Sequence, residues 1–182
     1  MAQTADKSSP PCTGSFLSRQ ISVSAAHLLF WPVFFIGFAS DLWTKSLVFN
    51  WLSSSYPPRF PIIDGFFQLV LVENRGAAWG IASDRTIPLI IVSIIALLIV
   101  FSVFLFMKNR PAVVIFSLSL FAAGICGNLY DRLFNAGRVR DFLDFYYSDV
   151  HFPAFNVADS MLTVAVFLLI LVTLFSSKPQ EV

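Results

Sequence analysis

Four stretches of roughly twenty mostly apolar residues, parted by more polar segments, constrain this chain more than any other feature in it. A helix rises about 1.5 Å per residue and the hydrocarbon core of a bilayer is about 30 Å thick, so such a stretch crosses it as a helix. The windows run from about Ser24 to Asp41, Ile87 to Met107, Pro111 to Tyr130 and Val157 to Phe175. The second, IPLIIVSIIALLIVFSVFLFM, contains no charge. Its β-branched residues are no obstacle, because backbone groups in lipid must bond within the helix, and bundle neighbours can cover the carbonyl freed by Pro32 in the first window. Charged residues make up 13% of the chain, against about 25% in soluble domains.

Four crossings put both ends of the bundle on one side. The short turn Lys108-Asn109-Arg110 is basic, Lys7 and Arg19 precede the first window and Lys178 follows the last, so these segments are expected to be cytoplasmic. Segments 42–86 and 131–156 are then outside. The expected fold is an all-α membrane protein of four transmembrane helices with a small extracytoplasmic β-rich subdomain at the membrane surface. Residues 24–176 form one unit, between a polar tail at 1–23, expected to be disordered, and a tail at 177–182. The first 23 residues lack the charged, apolar and cleavable pattern of a secretory signal, so the first helix is expected to stay as an anchor.

Within segment 42–86 the run FFQLVLVEN, Phe66 to Asn74, has strand composition, and Trp43, Trp51 and Trp79 are candidate interfacial aromatics. Cys12 and Cys126 are placed too far apart by this topology to pair. The two histidines, His27 and His151, have no nearby cysteine partner, so no metal and no cofactor is expected. A net charge of +1 without a basic stripe gives no footprint for nucleic acid.

Charge is costly in hydrocarbon and is seldom kept there without a use. Five polar clusters nevertheless fall at the expected outer ends of the helices: Asp41 with Lys45, Asn74-Arg75-Gly76-Ala77-Ala78-Trp79-Gly80, Gly127-Asn128-Leu129-Tyr130-Asp131-Arg132, Asp141-Phe142-Leu143-Asp144-Phe145, and Phe155-Asn156-Val157-Ala158-Asp159-Ser160. Topology came from hydropathy and Lys/Arg bias alone, so their convergence on one face is a separate observation. A single site assembled there would explain it. Asp141 and Asp159 are separated by enough chain to return to the membrane surface, so their carboxylates can meet.

These five motifs, in this order on four spans, resemble bacterial lipoprotein signal peptidase, over about residues 25 to 175. The resemblance implies an aspartic endopeptidase of the bacterial inner membrane that removes the signal peptide from diacylglyceryl-modified prolipoproteins, cutting before the lipidated cysteine. It also implies a monomer in contact with membrane lipid and no cofactor. By motif the catalytic pair falls on Asp141 and Asp159. Asn74 would hold the substrate backbone, Asn128 and Asn156 would orient the pair, and Arg132 would fix neighbouring backbone groups. Gly76, Ala77 and Ala78 would leave room for a bulky lipidated peptide close to the backbone, and Ala158 would be among the residues that bind substrate or support the pair. Paired carboxylates at close range share a proton, one acting as base on water and the other as acid toward the scissile carbonyl.

Several of these residues also admit a plainer reading. Asp41 and Lys45, four apart on a helix, have the spacing of a structural ion pair. Asp131 beside Arg132 would be a helix-end ion pair, and Asp144 is expected to face solvent. Asp159 alone would suit a first-turn acid at a helix N-terminus, with Ser160 as another cap candidate. Arg140 stands where the family more often has an apolar residue, and strand alternation would point it away from Asp141. Two other classes of function fit intramembrane acids, a proton-coupled transporter and a non-enzymatic scaffold. Clustering of the acids at one end, with no internal repeat, weighs against the first.

Overall fold

The computed structural model describes residues 19–76 and 86–175. Expectations for the N-terminal tail, Ala77, Ala78, Trp79 and Lys178 lie outside the described residues. Helix α1 spans Val23–Leu52, α2 Thr86–Phe106, α3 Ala112–Phe134 and α4 Val157–Phe175, all long and apolar enough to cross a membrane. Strands β1 (Arg59–Ile63), β2 (Phe67–Asn74), β3 (Val139–Tyr147) and β4 (Val150–His151) form one antiparallel sheet in that order.

Two helices outrun their expected ends. The first was read as stopping at Asp41 but continues to Leu52, and the third continues from Tyr130 to Phe134. The reason is visible in the side chains. The buried residues of α1 are Ala26, Phe30, Phe34, Asp41, Lys45, Val48 and Leu52, which recur at helical spacing on one stripe. Asp41 and Lys45 occupy that stripe like apolar residues and neutralise one another across 2.7 Å. A charge that ends a hydropathy window therefore need not end a helix. Trp43 and Trp51 lie on the continuation, exposed, with Trp51 against Phe60 of β1.

Helix α3 is the centre of the bundle, packed against the other three and buried on most of its circumference. At its first half Phe30 and Phe104 stack at 4.0 Å, within a cluster that includes Trp31, Phe34 and Phe101. Towards its second half small residues take over, and helices in lipid associate by such close packing. A methyl at Gly124 would meet the Ala158 carbonyl oxygen at 2.7 Å; one at Gly127 would run into the Asp41 carboxylate, with Cγ at 2.9 Å, and press on Ala158 Cβ at 3.2 Å. Gly127→Ala is expected to cost about 1–3 kcal/mol of stability by overpacking, read as a lower unfolding temperature in detergent. An unfolding temperature equal to wild type would show that α1 and α4 can move apart freely.

The α2–α3 turn and the chain before α1 share one end of the bundle, joined by Ile21 N–H to Arg110 O and Ala112 N–H to Arg19 O, both 3.0 Å. Arg110 also caps the last carbonyls of α2. The sheet sits at the opposite end. Strand β3 pairs with β2, placing Val72 opposite Asp141 and Asn74 opposite Val139. The chain then returns from β4 and is clamped back onto β3: Phe155 O accepts from Phe142 and Leu143 N–H, and Phe155 N–H donates to Leu143 O at 3.0 Å. This clamp delivers the start of α4 beside Asp141.

Candidate active site

Asn156 opens α4 as its N-cap. Its side-chain Oδ1 accepts from Asp159 N–H at 3.0 Å, and Asp159 Oδ2 accepts from Asn156 N–H at 3.1 Å, a reciprocal capping box. Ser160, a cap candidate from sequence, instead donates back to Asn156 O. A further α4 amide, Ala158 N–H, donates to Asp41 Oδ1 at 2.8 Å, so a carboxylate on α1 serves the N-terminus of α4.

The remaining amide atoms of Asn156 tie the two aspartates together. Its Nδ2 donates to Asp141 Oδ1 at 2.7 Å and to Asn128 Oδ1 at 3.2 Å. Asn128 Nδ2 donates in turn to Asp159 Oδ1 at 2.8 Å. Asn74 Nδ2 reaches Asp141 Oδ2 at 3.2 Å, while its Oδ1 accepts from Gly76 N–H, so both ends of this side chain are engaged. Each aspartate thus receives two N–H donors, and one residue, Asn156, serves both. Asp141 is buried and Asp159 half-buried.

Burial pushes the Asp141 carboxyl up to about 7, helped by the neighbouring Asp159 charge and opposed by the amides of Asn74 and Asn156 and by Lys45. Both carboxylates line a cleft of about 660 Å³ with Asn74, Gly76, Asn128 and Arg132. Its other walls are apolar, among them Phe152, Pro153, Phe155, Leu162 and Val164. Two carboxylates at an apolar cleft, one keeping its proton to near neutrality, can act on water and a carbonyl at once. Among the described residues no group of three or more His, Cys, Asp or Glu is placed to hold a metal ion.

Several residues differ from their sequence reading. Asp131 does not pair with Arg132, because adjacent helical residues do not face one another. It takes Arg140 instead, accepting from that residue's backbone N–H at 3.0 Å and from Nη2 at 2.7 Å, and it meets Lys45 at 3.3 Å. Arg140 thereby points away from Asp141, as strand alternation requires. Arg132 reaches the carbonyl oxygens of Asn128 and Gly76. Asp144 is buried, not solvent-facing: Gln68 of β2 donates to its Oδ2 at 2.7 Å and His151 of β4 approaches the same oxygen at 2.8 Å. Both faces of β3 are covered, which a single alternating strand does not disclose.

The sequence reading did not include the Gln68–Asp144–His151 cluster, the Phe155 clamp, or Phe152 and Pro153 as cleft walls. Their partners lie far apart in sequence and carry no short motif. The exception is Lys45, whose apolar surroundings in the sequence were a usable signal for burial.

Known proteins resemble this chain in sequence and in overall fold. A family model described as signal peptidase (SPase) II matches residues 33–175. A lipoprotein signal peptidase from Sulfurihydrogenibium sp. (strain YO3AOP1) is 42% identical over 158 residues, covering 83% of this chain and 94% of its own. One from Francisella tularensis subsp. novicida (strain U112) is 37% identical over 145 residues, covering 77% and 88%. A bacterial membrane enzyme solved by the in meso method at 2.3 Å resolution superposes with a TM-score of 0.74 at 29% identity, over 91% of this chain and 98% of the other. A second, at 1.9 Å resolution, gives 0.70 over 88% and 99%. Sequence over most of its length, four membrane-spanning helices and a shared fold together make this chain a member of the signal peptidase II family of lipoprotein-processing membrane peptidases.

Proposed function

We propose that the chain is an aspartic endopeptidase that cuts diacylglyceryl-modified prolipoproteins just before the lipidated cysteine, with Asp141 and Asp159 as its catalytic pair. The observation that carries this reading is Asn156, which donates from one buried position to both of the carboxylates that line a largely apolar cleft. The resting pair carries one proton, on Asp141, and Asp159 serves as the base. A water between them gives a proton to Asp159 as its oxygen attacks the scissile carbonyl carbon, and Asp141 protonates the carbonyl oxygen. The resulting gem-diol collapses when Asp159 passes its proton to the leaving amine nitrogen and a diol hydroxyl returns one to Asp141. The carbon–nitrogen bond breaks and the pair regains its starting state.

The basic turn at Lys108 and Arg110 and the site at opposite ends of the bundle support an active site near the extracytoplasmic face of the bacterial inner membrane, with both termini cytoplasmic. Apolar cleft walls suit a lipid-bearing peptide approached from the bilayer by a monomer. Purified protein in detergent is expected to shorten a diacylglyceryl prolipoprotein on a gel and leave the modified cysteine as the new N-terminus. The same polypeptide without the diacylglyceryl group is expected to be cut at least about tenfold more slowly, because remote binding energy is withdrawn from the chemical step. Equal rates on both would refute lipid recognition, and no cleavage of either by folded protein would refute the reading itself.

A further inference from the structure

Lys45 is a fully buried lysine whose ammonium faces three oxygens: Asp41 Oδ2 at 2.7 Å, Asp131 Oδ2 at 3.3 Å and Asn128 Oδ1 at 3.1 Å. Two of these contacts account for its charge, since Lys45 and Arg140 are matched by Asp41 and Asp131. The third is not needed for charge balance, and Asn128 is the residue that donates to Asp159.

An ammonium only donates, so the amide atom of Asn128 that faces it has to be the oxygen. That leaves Nδ2 directed at Asp159. Flipping the amide would set an NH2 against the ammonium and a carbonyl oxygen against the Asp159 carboxylate, two repulsive contacts in place of two attractive ones. The direction propagates further. Asn128 Oδ1 also accepts from Asn156 Nδ2, which fixes the second amide so that its oxygen takes Asp159 N–H and its other N–H reaches Asp141.

We infer that Lys45 is a positioning residue for the peptidase reaction: through the amide of Asn128 it keeps an N–H directed at Asp159 and so holds that carboxylate in the orientation in which it accepts the proton of water. The inference rests on the proposed catalytic pair. Among the described residues, the charged groups near Asp159 include Asp141 from β3, Arg132 and Asp131 from α3, and Lys45 and Asp41 from α1; α4 carries no other charge.

The test uses the full chain in detergent with a diacylglyceryl prolipoprotein. Lys45→Met alone strands the Asp41 carboxylate, so it is paired with Asp41→Asn, which keeps an acceptor for Ala158 N–H, and compared with Asp41→Asn alone. Losing a hydrogen bond to a charged group predicts a kcat about tenfold lower in the double variant at unchanged KM, with the acid limb of the pH–rate profile moved up by about one unit. Asp41→Asn alone keeps the wild-type position of that limb. Asn128→Leu, which retains Lys45 and its ion pairs, shows the same displaced limb and covers the case in which the double variant does not fold. An unmoved limb in either Lys45→Met/Asp41→Asn or Asn128→Leu, or an equal shift in Asp41→Asn alone, overturns the inference. Cleavage surviving Asp159→Asn overturns the catalytic pair first and the inference with it, an outcome seen before any Lys45 variant is read.

Discussion

Replacing either Asp141 or Asp159 by asparagine is expected to slow cleavage by at least about 10³-fold, with membrane insertion retained and unfolding still cooperative. The two changes are nearly isosteric, and each new amide keeps one acceptor for the network while turning its NH2 toward a donor, Asn74 in one case and Asn128 in the other. Each substitution costs about one hydrogen bond, so the fold survives what the chemistry does not. Residues acting as one unit are non-additive, so the double variant should be no slower than either single one. Gel-resolved turnover against detergent unfolding curves measures both. Near wild-type turnover in both single variants would remove these residues from the mechanism.

The second large effect is in pH. In the proposed mechanism the pair works with one proton, and burial favours keeping it on Asp141 up to about pH 7. Above this, kcat/KM is expected to fall about tenfold per unit as both members ionise and the acid is lost. Stability moves the same way. Because the folded carboxyl titrates above the ordinary 3.8, the native state holds a proton that the unfolded chain releases, so stability declines from about pH 4 to about pH 7 and stays reduced above. The penalty is on the order of 4 kcal/mol by the shift alone. Asp141→Asn, which does not titrate, should therefore gain in unfolding temperature relative to wild type between pH 5 and pH 8. A constant difference across that range would mean that Asp141 is ionised throughout.

Hydropathy was enough to find the four helices, because the lipid criterion depends on composition within one window. It misjudged α1 because Asp41 and Lys45 look like a boundary until their packing against Asn128 and Asp131 is seen. The motifs around Asn128, Asp141, Asn156 and Asp159 are short enough to read, and the structure brings these residues together. What escaped is whatever depends on a distant partner: Asp144 is buried because β2 and β4 close over it, and Asp131 chooses Arg140 over its neighbour because helix geometry turns adjacent side chains apart. The plain reading of Asp159 as a first-turn acid also describes it correctly, since the capping box uses both of its backbone and side-chain groups. Capping does not compete with the proposed chemistry; it orients the carboxylate for it.

The clamp between Leu143 and Phe155 divides the chain into a part that sets distances and a part that does not. Beyond it the β3–β4 hairpin runs out to an exposed turn at Ser148 and Asp149 and returns through Phe152 and Pro153 along the cleft wall. Under the proposed function, lengthening or recomposing that turn is expected to alter which polypeptides the wall admits while the spacing of the two carboxylates stays where the clamp puts it. Descendants of this chain can therefore drift in clientele by editing a surface loop, and the same turn is the place to graft a fluorophore or an affinity handle onto a working enzyme.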